Sequence, residues 1–169
     1  MPIVATDISR RLSGGATNTN PAASLGGAMS STAFSSAVAN NLFDNVLGAE
    51  SSAGDIEHRC FYVVNLHATL TWKGVLVFIA VPTILADTEF DIGLDSAVVG
   101  SDSTTLISTE NEAPVGITFS RPTTKATGLL IGDMAAGTRK AGWVRRTVNA
   151  SAGAGSDTGT IRFSGDTDP

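Results

Sequence analysis

The chain is poor in the residues that most often carry chemistry. It has one cysteine and two histidines in 169 residues. A single cysteine, Cys60, excludes an intramolecular disulfide, and its place in an apolar run suits a buried, inert thiol better than a nucleophile. His58 and His67 fall in no Cys/His or His-x-x-x-His spacing, so they mark no metal centre. Charged residues make up only 16% of the chain, against about a quarter in typical domains. The net charge of -5 argues against nucleic-acid binding, which normally needs a basic face to displace counterions from phosphate. No apolar run approaches the roughly 18 to 20 residues that cross a bilayer. The N-terminus has no basic stretch leading into an apolar one, so no signal peptide is expected and synthesis in a cytoplasm follows. The G-x-S-x-G elbow, the phosphate loop and the dinucleotide fingerprint are all missing. A glycosidase-like carboxylate pair drawn from Asp87, Glu89 or Glu110 would be no more specific than in any acidic β-protein. The expectation is therefore a chain with no catalytic residue, cofactor or metal.

What the chain does have is a dense apolar region from Arg59 to Thr83, rich in β-branched and aromatic residues. It predicts two or three antiparallel strands with breaks at Asn65-Leu66-His67 and Lys73-Gly74. Ala68 to Trp72 alternates as a half-buried strand does. Val75 to Val81 does not alternate, which predicts a strand covered on both faces, by another sheet or by a neighbouring subunit. Pro82 closes it. Asp87 to Asp95 places Asp87, Glu89 and Asp91 on one strand face and Thr88, Phe90 and Ile92 on the other. That acidic ladder suits an ordinary solvated or inter-subunit face better than a Ca²⁺ site, because no calcium-loop motif accompanies it. Further strands are expected at Thr127 to Asp133, Thr138 to Asn149 and Thr158 to Ser164. Trp143 is expected in the sandwich core, with Arg145 paired to the acidic strand. Seven to nine short strands without a long helix predict an all-β protein, a single sandwich of jelly-roll or immunoglobulin-like type.

The N-terminal region differs. Ser13 to Ser36 is built from Gly, Ala, Ser, Thr and Asn and cannot by itself bury enough apolar surface to offset its ordering entropy. Residues 1–55 are thus expected as an extended arm, with a short apolar anchor at Asn41 to Leu47, ahead of a sandwich domain at 56–169. The expected assembly contacts are Arg10, Arg11, Leu12, Leu25, Met29 and Phe34, docking on the same or a neighbouring subunit, together with Arg145 and Arg146. A flexible linker with nothing to bind fits the composition as well.

Several stretches, RRLSGGATNTNPAASLGGAMSS, NLFD, HRCFYVVNLHATLTW, ENEAPVGITFS and IGDMAAGTRKAGWVRRTV, together resemble a group of small structural proteins of tailed bacteriophages. Within that class, a small acidic sandwich with an arm is similar to capsid decoration or cement proteins. The resemblance implies a virion component on the capsid surface, made in the host cytoplasm and bound to the major capsid protein. It also implies a homo-oligomer, commonly a trimer, with neither nucleic acid nor membrane as partner. Tail, neck or baseplate components use similar sandwiches and form the alternative.

Overall fold

The structure is a computed structural model that describes residues 2–35, 38–153, 155 and 157–167. Among these, eight strands form two antiparallel sheets: β1 (Ile8–Ser13), β2 (Met29–Ala33), β3 (Asp55–Asn65), β4 (Trp72–Val81), β5 (Thr88–Leu94), β6 (Leu129–Met134), β7 (Arg139–Val148) and β8 (Thr160–Thr167). One short helix, α1 (Gly48–Ala53), precedes β3. The larger sheet has the order β2-β1-β3-β7-β5 and the smaller one β6-β4-β8. The expected sandwich is therefore present.

The main sandwich core follows from strand alternation. On β3, Phe61 and Val63 point toward the small sheet. Phe61 joins Leu12, Ile92 and Val144 of the large sheet against Val77 and Ile79 of β4, and its ring meets Phe163 of β8 edge-on at 6.0 Å. Val63 packs with Trp72, Val75 and Met134. These contacts cover one face of the apolar Val75 to Val81 run without a second subunit.

Three expectations are corrected. Ala68 to Trp72 is not a strand: β4 begins at Trp72. The preceding turn is held by the Asn65 amide, which donates to the carbonyls of Leu70 and Met134 at 2.9 Å each. Lys73-Gly74 does not end a strand but sits inside β4 at a register shift, where Gly74 adopts a positive φ of 54°, as a bulge permits.

The third correction concerns Trp143. It is fully buried, but on the opposite face of the large sheet, in a second core with Cys60, Tyr62, Ala141 and Ile107. Leu25, Ile117 and Phe119 pack against that core from loops, and Met29 does so from the start of β2. Residues 95–122 thus form a roof over the outer face of the large sheet. The outer face of the sheet around Trp143 is dry because a loop layer covers it.

The N-terminal segment, read as an arm, enters the large sheet. Arg11 pairs with Tyr62 and Leu12 with Phe61, and beyond β1 the Ser24 carbonyl accepts from the Cys60 amide at 2.7 Å. Its polar side chains satisfy its own backbone. Ser30 Oγ and Thr32 Oγ1 donate to the Asn18 carbonyl at 2.6 and 2.7 Å, Asn18 Nδ2 donates to the Ser13 carbonyl at 2.6 Å, and Ser13 Oγ accepts from the Gly26 amide at 3.1 Å. Internal hydrogen bonding of this kind lets a hydroxyl-rich segment order with little apolar area. Gly26 is required for the close approach: its φ is +102°, and a Cβ there would run into the Thr105 carbonyl and meet the Trp143 ring at 3.1 Å.

Candidate functional site

The most concentrated chemistry lies inside the sandwich, at the end of β3 and β7. Glu57 and Arg146 are directly opposed in the register, and their side chains form a buried ion pair. Arg59, fully buried, lies 3.7 Å from Glu57 and is paired with Glu110. Two buried guanidinium groups need partners on every side. Residues 42–44 supply them. The Phe43 ring sits 5.4 Å from the Arg59 guanidinium and 5.0 Å from that of Arg146, and it stacks on Phe90 at 5.8 Å. The Asp44 carbonyl accepts from Arg146 Nη1 at 2.6 Å. Burial pushes the Glu57 carboxyl up to about 7, although the Arg146 and Arg59 charges oppose the shift. One Glu57 oxygen, Oε1, and Arg59 Nε lack a hydrogen-bond partner. The cluster joins two strands to the 42–44 segment.

The remaining reactive groups are equally occupied. Burial pushes the Cys60 thiol well up. His58 Nδ1 donates to the Glu110 carbonyl at 3.1 Å, its ring tilts against Phe119 at 5.4 Å, and burial lowers its pKa. No group of three or more His, Cys, Asp and Glu side chains that could hold a metal ion occurs among the described residues. In the acidic ladder, Asp91 takes Arg145 at 2.7 Å and Arg121 at 3.2 Å, while Glu89 takes Arg121 at 2.7 Å. The Arg121 hydrogen bond holds the Glu89 carboxyl below its usual range. Glu89 and Asp91 are thus paired with arginines of the same chain, Asp87 Oδ2 accepts from the Gly153 amide at 3.3 Å, and the expected Arg145 pairing is observed.

The residues expected at assembly contacts are distributed as follows. Leu12 is buried in the sandwich core, with Phe34 packed against it. Leu25 and Met29 support the second core. Arg145 is ion-paired and lies over the Phe119 ring at 5.2 Å, and Arg146 is the buried partner of Glu57. Arg11 is half-buried, with its Nε enclosed and without a hydrogen bond. Arg10 lines a groove of about 400 Å³ between the N-terminal stretch and β8, with Ile3, Ile8, Trp72, Ile161 and Phe163.

Large apolar side chains are exposed at several places on the molecule, Ile84 and Leu130 among them, and the roof carries three. Ile107, Ile117 and Phe119 of that segment turn inward, whereas Val98, Leu106 and Val115 are 70%, 71% and 86% exposed. The sequence alone did not single these three out, because an isolated valine or leucine in a loop carries no periodic signal. No helix of the described residues is long and apolar enough to cross a membrane.

Fold and site together define an all-β sandwich protein whose buried charges serve structure. Neither a protein-family model nor a curated protein matches the chain.

Proposed function

We propose that this chain is a non-enzymatic structural protein of a tailed-phage particle, a capsid decoration or cement subunit that docks on the shell exterior and bridges major capsid subunits. The observation that carries the reading is the roof, where three large apolar side chains of one loop layer, Val98, Leu106 and Val115, face solvent on a chain with few charges. Large apolar side chains exposed along one segment are candidates for contact with a protein partner. Support also comes from the sequence resemblance. Removal of residues 1–36 is a poor test, because it would take β1 and β2 out of the sheet.

Two measurements test the proposal. Quantitative mass spectrometry of purified particles should give a copy number near that of the major shell protein or a simple fraction of it. A far lower ratio would move the chain to the neck, tail or baseplate, and its absence from particles would overturn the reading. The double variant Leu106→Asp/Val115→Asp should keep the wild-type melting temperature and lose at least about tenfold in affinity for shells lacking the chain. Undiminished binding would remove the roof from the interface.

A further inference from the structure

The sandwich has four strand edges, and three are guarded. β2 is only five residues long. β5 is bridged by Ser120, whose amide and carbonyl both bond to Ile92, at 3.0 and 2.9 Å. β6 is broken by register shifts against β4 and carries Gly132 at φ 94°. The fourth, β8, is eight residues long and pairs only with β4. Its other side opens into the groove of about 400 Å³ with an apolar wall of Ile3, Ile8 and Trp72. An unpaired edge of that length is a template for another strand.

The charges on β8 select which strand. Arg162 and Asp166 are exposed, lie on the same face four residues apart, and have no ion pair among the described residues. One sign of charge would repel a second copy. Opposite signs at this spacing make the edge self-complementary. If two β8 strands meet antiparallel about Ser164, Arg162 lies opposite the partner's Asp166, and Asp166 opposite the partner's Arg162. On the inner face, Phe163 lies opposite the partner's Gly165, so a bulky ring faces a residue without a side chain. Cross-strand pairs of opposite charge and of aromatic with glycine both favour this register.

We propose that β8 is the interface through which two copies of this chain pair antiparallel, centred on Ser164, to join their three-stranded sheets into one six-stranded sheet. A second copy is the occupant that fits, because the complementarity is built from a single strand's own residues. This association does not depend on where in a particle the chain sits. It replaces the threefold ring expected from the resemblance with a twofold pair.

Sedimentation of the purified full chain across the micromolar range tests it. Wild type should show a monomer–dimer equilibrium. Arg162→Asp and Asp166→Arg should each weaken association by about tenfold or more. The double reversal Arg162→Asp/Asp166→Arg should restore it to within about threefold, since the pairs are re-formed with their signs exchanged. Melting curves of all four proteins recorded at concentrations low enough for each to be monomeric should coincide, because both side chains are exposed. A wild type that stays monomeric or forms a trimer, a dimer indifferent to either reversal, or a double variant that is not restored would each overturn the proposal.

Discussion

Asp95 Oδ2 accepts a hydrogen bond from Trp143 Nε1 at 2.9 Å and another from Ser103 Oγ at 2.6 Å. One buried carboxylate thus fastens the roof to the middle of β7. Burial opposes its ionisation, but the bonds from Ser103, Trp143 and the Ala97 amide, together with the Lys140 charge, outweigh burial and hold its pKa below the usual range.

Replacing Asp95 with Ala leaves the indole N–H without its acceptor in a dry site and takes from the Ser103 hydroxyl its shorter bond, with the Thr105 carbonyl at 3.1 Å as the acceptor that remains. We expect a loss of about 3 kcal/mol and a melting temperature lower by about 10 °C. Near-ultraviolet circular dichroism should report the change at Trp143. A melting temperature within a degree or two of wild type would show that the roof is held without this bond.

Phe43 is the point at which the 42–44 segment grips the sandwich. Phe43→Ala removes a buried ring in contact with two guanidinium groups, and we expect a loss of about 3 to 5 kcal/mol. Phe43→Leu restores much of the volume without the π face and should recover part of it. Limited proteolysis should cut the alanine variant between residues 38 and 54 well before wild type. Equal cleavage rates would mean that the segment is secured elsewhere.

Glu57 makes stability fall as pH rises. Its carboxyl is raised from 4.5 in a free side chain to about 7 in the fold, so the folded state holds the proton more tightly than the unfolded chain. The stabilising contribution is complete below about 4.5, fades as pH climbs through 7, and amounts to about 3 kcal/mol over that window. Glu57→Gln should flatten this dependence. The measurement is the difference in melting temperature between wild type and variant from pH 5 to pH 9, and a constant difference would refute the assignment.

The strands most legible in the sequence were those whose pattern reflects purely local constraints. β7 was expected at Thr138 to Asn149 and lies at Arg139–Val148, and β5 was expected at Asp87 to Asp95 and lies at Thr88–Leu94. The pairing of Arg145 with the acidic strand was legible too, because opposite charges on long neighbouring strands have few alternative partners. The N-terminal strands were not. Ser13, Asn18, Ser30 and Thr32 form hydrogen bonds to backbone groups 5 to 14 positions away, and composition registers such residues only as polar.

The sequence by itself determined an all-β chain of short strands with a single apolar centre at β3 and β4, since period-two patterning and turn residues act over a few positions. Tertiary structure alone decided which face each strand turns to which neighbour. Trp143 was bound to be buried wherever β7 lay, but alternation is symmetric between the two faces of a sheet. Its side was settled only when residues 95–122 folded back over it. The same holds for Glu57, Arg59 and Arg146: their charges predict solvent, and their ion pairs with one another and with Glu110, covered by Phe43 and Asp44, make an interior position stable.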